Sequence, residues 1–270
     1  MFTIPLYDDN PTTRPALVTW AIILACVAVF LWQLGLAPRE EVRASYALGL
    51  VPAVLFGTKA LPPGAAMVSP WATIYTSMFL HGGWMHLIGN MWFLWIFGDN
   101  VEDALGRVRY FVFYFLCGTA AALTQAFANP DATQPMVGAS GAIAGVLGAY
   151  LVLHPQANVR VLVWIIIFVR LINVPAVILL GLWFALQLFS GLSTPLGGHG
   201  GVAFWAHVGG FLAGVILVTL LRRREVPLLQ PARSAAFGTA SARSFADRTG
   251  YRGSVPQAGH YPSRRRSPWG

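Results

Sequence analysis

The sequence predicts an all-α polytopic membrane protein, with six transmembrane helices in one bundle, a long outer first loop and a disordered basic C-terminal tail. Composition sets the class: 56% of the 270 residues are hydrophobic and 10% are charged, against roughly 25% charged in an ordinary soluble domain. The apolar runs set the architecture, because windows at about 16–36, 77–98, 109–128, 139–154, 173–191 and 203–221 approach the ~20 helical residues that a hydrocarbon core of about 30 Å requires. Charge placement sets the tail apart. Residues 1–221 hold eight basic and eight acidic side chains, so the whole net charge of +8 lies in residues 222–270, where ten arginines face only Glu225 and Asp247. Rich also in Pro, Gly and Ser, that stretch cannot bury enough apolar surface to fold. The expected division is a cytoplasmic N-terminal segment over 1–15, a membrane domain over 16–221 and the tail over 222–270.

The opening stretch MFTIPLYDDNPTTRP lacks a basic region ahead of an apolar core, and the first apolar run is long enough to span. A retained helix is expected there rather than a cleaved leader. Cys26 and Cys117 both fall in apolar windows, which leaves no disulfide framework and no four-thiolate metal site. The run VLVWIIIFV at 161–169 is too short to cross and is closed by Arg170 and Pro175; an interfacial or re-entrant piece is expected. Six spans put both termini on one side. With both inside, Arg14, Arg107, Arg109, Arg160, Arg170 and the ten tail arginines are cytoplasmic, and Arg39, Arg43 and Lys59 of the first loop are outside, the bias of the positive-inside rule. The tail reads as a topology anchor rather than a nucleic-acid arm, so the expected partners include the lipid bilayer and exclude nucleic acid.

Polar side chains inside apolar spans are costly and point to function. They are His86, Asn90, Ser140, Gln187 and His207. His86 and Asn90 stand at i and i+4 in HGGWMHLIGN, on one helix face. At about 1.5 Å of rise per residue, Ser140 lies about 21 Å from the inner end of its span at His154, His207 about 22 Å from Arg222 and His86 about 20 Å from Asp99. Three helices thus carry these groups to one level, some 9 Å below the outer surface of a core of about 30 Å. Gly141, Gly145 and Gly148 follow Ser140 at helical spacing, and Gly210 and Gly214 follow His207. Such small-residue faces let helix backbones approach closely, which a hydroxyl needs to come within about 3 Å of an imidazole. Packing alone accounts for the glycines but for neither Ser140 nor His207.

These residues resemble the motifs of the rhomboid family of intramembrane serine proteases. The resemblance rests on His81-Gly-Gly-Trp-Met-His86-Leu-Ile-Gly-Asn90, on Gly138-Ala-Ser140-Gly141 and on Ala206-His207-Val-Gly-Gly210-Phe-Leu-Ala-Gly214, and extends through FGDNVEDALGRVRYFVFY and GLWFALQ over roughly residues 45–220. It implies a six-helix rhomboid fold and a Ser/His dyad in which Ser140 is nucleophile and His207 general base. It further implies an oxyanion hole from His86, Asn90 and the Ser140 backbone N–H, no metal and no cofactor, and transmembrane proteins as substrates. His81 is expected to support the loop before the second span, with Gly138, Gly141, Gly210 and Gly214 supporting the two catalytic residues. A helical substrate must unwind before attack, so substrates with helix-breaking residues are expected, entering from the lipid near the second and fifth spans, where Pro175, Gly181 and Trp183 are candidates for permitting motion. Some family members stack an aromatic side chain on the histidine one turn after the serine; Ala144 stands there in this chain. Gln187 is expected to be a buried structural hydrogen bonder.

Three other readings compete. A metal protein could use His81, His86 and His207 with Asn90, but Asn is a poor zinc ligand and Ser140 would have no role. A silent relative that only binds membrane segments would ordinarily lack the serine or the histidine, and both are present. A transporter would call for an inverted repeat or paired core charges. His154, His199 and His260 are isolated in the sequence and expected in loops or tail.

Overall fold

The computed structural model describes residues 2–165, 168–193 and 203–231. In chain order these form β1 (Phe2–Asp8), α1 (Leu17–Leu34), α2 (Pro38–Leu48), α3 (Pro52–Leu55), α4 (Thr73–Thr76), α5 (Trp84–Leu105), α6 (Arg107–Ala128), α7 (Ser140–Leu153), β2 (Asn158–Ile165), β3 (Phe168–Pro175), α8 (Ala176–Ser193) and α9 (Phe204–Leu221). Four of them, α1, α6, α8 and α9, are long and apolar enough to cross a membrane.

The short helix α7 occupies the centre. Its 14 residues span about 21 Å, and from Gly141 to Tyr150 every side is covered. It packs against α9, α6, α5 and, more lightly, α8. Its own Leu147 and Leu153 are fully buried in one core with Leu94, Phe97, Tyr110, Phe113 and Tyr114. The α7–α9 contact is made by backbone. A Cβ on Gly210 would lie 3.0 Å from the Gly141 carbonyl carbon, and one on Gly148 3.0 Å from the Phe211 carbonyl carbon, so only glycine allows the two helices this separation.

The second apolar window does not become a helix over 77–98. Helix α5 starts at Trp84, after the Gly82–Gly83 break, and continues to Leu105 through Asp99, Glu102 and Asp103. Those carboxylates are tolerated because each has donors. Glu102 accepts from the Val18 N–H (3.0 Å), the Thr19 N–H (2.8 Å) and the Thr19 hydroxyl (2.8 Å), capping the first turn of α1, whose own cap residue Ala16 cannot do so. Asp103 accepts from the Thr13 N–H at 2.7 Å and faces Arg223 at 3.6 Å. Gly106, at φ +80°, turns α5 directly into α6.

One expectation is corrected here: the chain is mostly helical, not all-α. Within the stretch expected as an interfacial or re-entrant piece, the described residues 161–165 and 168–169 are strand: β2 and β3 pair antiparallel, and β1 pairs antiparallel with β2 (Ile4↔Leu162, Asp8↔Val159), giving the order β1-β2-β3. The β-branched residues of NVRVLVWI suit a pleated surface, and the 1–15 segment supplies the third strand. The sheet is tied down by the Asp9 carboxylate, which accepts from the Asn158 N–H (2.8 Å) and Nδ2 (2.9 Å), and by the Trp92 indole N–H donating to the Pro5 carbonyl at 2.6 Å. From β3 the chain enters α8, whose Ala176 N–H donates to the Ala157 carbonyl at 2.8 Å.

The expected disorder of the tail does not begin at 222. Leu229 and Gln230 donate from their backbone N–H groups to the carbonyls of Val152 and Leu153 at 2.9 Å each, closing the C-terminal end of α7. Residues 232–270 and His260 lie outside the described residues, as does His199. His154, expected in a loop, ends α7 and is buried against Tyr150.

At the other end of the bundle the long first loop carries α2, α3 and α4. Leu50, Leu55 and Ile74 pack there on Ala122 and Ala126 of α6, and Leu50 pairs with Met136 through reciprocal backbone bonds of 3.0 and 2.8 Å. This bridge holds the segment leading into α7.

Candidate active site

Ser140 is the first residue of α7, where backbone N–H groups have no intrahelical acceptor and the helix end favours negative charge. The approach to it is held by the Gly138 N–H donating to the Ser77 carbonyl at 2.8 Å. Gly138 has φ +122°, and a Cβ there would lie 2.6 Å from His86 Nε2 and 3.5 Å from Asn90 Nδ2. Both the backbone angle and the space require glycine. His207 stands in the first turn of α9, and the α7–α9 contact sets its Nε2 2.9 Å from Ser140 Oγ.

Four of the residues singled out in the sequence line one cavity of about 870 Å³: Ser140, His207, His86 and Asn90. The Gly82 N–H donates to His86 Nδ1 at 3.4 Å, so the neutral ring carries its proton on Nε2, the atom beside Gly138. Asn90 Nδ2 is buried without a hydrogen-bond partner. A buried orphan donor is costly unless a ligand or water uses it. His81 is not part of the cavity wall. It is 1% exposed, its Nδ1 meets the Phe79 carbonyl at 3.2 Å and its ring edges onto His86 at 5.3 Å. Its backbone is clasped by Gln33, which accepts from the His81 N–H (3.0 Å) and donates to the His81 carbonyl (3.2 Å). Among the described residues no three His, Cys, Asp or Glu side chains converge as a metal site.

Two contributors carried no mark in the sequence and a third lacked its partner. Gln33 was an unmarked polar residue in the first span. Gln125 Oε1 accepts from the Ala206 N–H at 3.2 Å and so fastens the turn that bears His207; it lies near the end of α6, where a polar residue carries no signal. Gln187, expected to be a buried hydrogen bonder, is half-buried, and its partner was not foreseen: His207 Nδ1 lies 2.7 Å from Gln187 Oε1.

The rhomboid domain model matches residues 69–224, more than half of the chain. The chain belongs to the rhomboid family. With its several apolar helices, it is a multi-pass membrane protein of that family. Among similar rhomboids, rhomboid-like protein 11, chloroplastic, of Arabidopsis thaliana is 31% identical over 57% of this chain and 53% of its own length. The rhomboid protease AarA of Providencia stuartii is 28% identical over 74% of this chain and 70% of its own. The rhomboid protease GluP of Bacillus subtilis is 37% identical over 30% of this chain and 25% of its own. The chain spans about half the length of the first of these relatives.

Proposed function

We propose that this rhomboid is an intramembrane serine endopeptidase that hydrolyses peptide bonds within or beside transmembrane segments of other membrane proteins. The observation that carries the reading is the 2.9 Å contact between Ser140 Oγ and His207 Nε2 on the wall of a large cavity. In this reading His207 takes the hydroxyl proton as Ser140 Oγ attacks the scissile carbonyl. The resulting oxyanion is met by the Ser140 backbone N–H, His86 Nε2–H and the unpartnered Asn90 Nδ2, each worth about 3–4 kcal/mol in the transition state. As the C–N bond breaks, His207 returns the proton to the leaving amine. A water then attacks the acyl-enzyme with His207 again as base, releasing the second product and restoring Ser140.

The same reading gives six spans with both termini cytoplasmic. Helices α5 and α7 join the four longer apolar ones, and α7 can be short because protein, not lipid, surrounds it. The cavity then opens outward, where water can enter. Helix α8 packs chiefly on α9, while α5 packs on α7, α1 and α6, which leaves a lateral route between α5 and α8 for a substrate helix.

The test is cleavage of a transmembrane reporter by the wild type, Ser140→Ala and His207→Ala, with fluorophosphonate labelling of Ser140 as a second readout. Both variants are expected to be inactive, and a chelator to have no effect. Undiminished cleavage by either variant overturns the dyad. Cysteine-accessibility mapping of residues 58 and 131 against 107 tests the topology.

A further inference from the structure

Resting on the dyad reading, we infer that Gln187, with Trp183, is the positioning element that holds His207 in its reactive tautomer and ring orientation. His207 Nδ1 stands 2.7 Å from Gln187 Oε1, on the ring edge opposite the 2.9 Å contact with Ser140. A neutral imidazole has one N–H. If Nδ1 carries it and donates to the amide oxygen, Nε2 presents the lone pair that must accept the serine proton. The reverse orientation of the amide would set an N–H against Nδ1, drive the proton to Nε2 and leave Ser140 facing a donor. Only the oxygen-inward arrangement fits a general base at Nε2.

Gln187 therefore occupies the place that a buried carboxylate takes in a serine–histidine–aspartate triad, but without charge. That suits a site in the membrane, where an extra ion would be costly. Among the described residues the ring nitrogens of His207 meet Gln187 and Ser140 and no carboxylate; the other titratable side chains on the cavity wall are His86 and Asp131. Trp183 adds the second restraint. It lies one turn before Gln187 on the same face of α8, and its ring centroid is 5.7 Å from that of His207, tilted by 39°. Ala144 is too small to cover the imidazole, so the ring cover comes from α8 instead of α7. Trp183 in turn leans on Phe211 at 6.2 Å, and Phe184 stacks on Phe211 at 4.4 Å, fixing the α8 face against α9. Of the four long apolar helices α8 is the least embedded, 17% buried against 33% or more. Any displacement of α8 from α9 removes acceptor and ring cover together.

The experiment compares kcat, KM, pH–rate profile and thermal stability of the full chain in detergent and in vesicles for wild type, Gln187→Leu and Gln187→Glu, after Ser140→Ala and His207→Ala have been assayed. Gln187→Leu is expected to lower kcat about 10- to 100-fold with KM little changed. Gln187→Glu retains an acceptor, recovers most of that loss, and moves the acidic limb of the profile about one pH unit upward, because a carboxylate beside the ring favours the imidazolium. A merely structural glutamine would not move the profile. Gln187→Leu with kcat within twofold of wild type overturns the inference, as does an unmoved profile in Gln187→Glu alongside losses in Gln187→Leu that track melting temperature. Cleavage by Ser140→Ala would instead overturn the dyad itself, a distinct result read before any Gln187 variant.

Discussion

The backbone of Gly214 passes so close to Gly145 that a β-carbon on Gly214 would stand 2.6 Å from the Gly145 carbonyl carbon and closer still to its oxygen. This contact lies between α7 and α9, the helices that carry Ser140 and His207, so the width of one methyl group decides whether hydroxyl and imidazole meet. Gly214→Ala is expected to force the helices apart, costing about 1–3 kcal/mol of stability and lowering reporter cleavage more than tenfold. Gly181→Ala provides the comparison. Nothing lies within 4 Å of that position, so the variant is expected to keep wild-type cleavage and stability. Melting curves and cleavage rates on both proteins check the pair.

Asn90 Nδ2 has no hydrogen-bond partner among the described residues, so removing it breaks no hydrogen bond within the protein. In the proposed reaction its role arises only when charge develops on a substrate oxygen. Asn90→Ala is expected to lower kcat about 10²- to 10³-fold with little change in KM and no loss of thermal stability. A fall in melting temperature with kcat preserved would assign Asn90 to packing.

The polar members of the site were legible in the sequence because a serine, histidine or asparagine within an apolar window has few reasons to be there. Their distances were not. Whether Gln187 reaches His207 depends on how α8 is rotated, and hydropathy is blind to rotation. The sheet was hidden for a different reason: β1 pairs with β2 across more than 150 residues, as in Asp8↔Val159, and the uniformly apolar run 161–169 shows neither the two-residue nor the 3.6-residue period. The start of α5 was misplaced because Gly82 and Gly83 break a helix without interrupting an apolar window. Its end was misplaced because Asp99, Glu102 and Asp103 look like a boundary until their donors are seen, Asn100 for Asp99 and residues 13–19 for Glu102 and Asp103.

Glu102 is 3% exposed and accepts three hydrogen bonds at the start of α1. Glu102→Ala leaves the Val18 and Thr19 N–H groups without their acceptor at a helix N-terminus, a loss of roughly 1–3 kcal/mol. The site residues sit at the opposite ends of α5 and α7 from this cap. The expected outcome is a lower melting temperature with kcat at low temperature close to wild type; equal losses of kcat and stability would show that the two ends of the bundle are coupled.

Asp8 makes the stability of this end of the bundle depend on pH. It accepts from the Tyr150 hydroxyl and, at 3.0 Å, from Asn100 Nδ2. Removal from water pushes its carboxyl up to about 8; the Tyr150 hydroxyl works against that rise, and the neighbouring Asp99 and Asp9 add to it. The unfolded chain holds this group near the ordinary 3.8. Between those two values the folded protein binds the proton that the unfolded chain releases, so stability is fully present below about 4 and is lost as pH rises through about 8. Asp8→Asn keeps a neutral, hydrogen-bonding side chain against Tyr150 and Asn100 across the whole range. Melting temperature measured from pH 5 to pH 9 is therefore expected to fall more steeply for the wild type than for Asp8→Asn, with the two curves closest at the acid end. Parallel curves would show that Asp8 is ionised alike in the folded and unfolded chains.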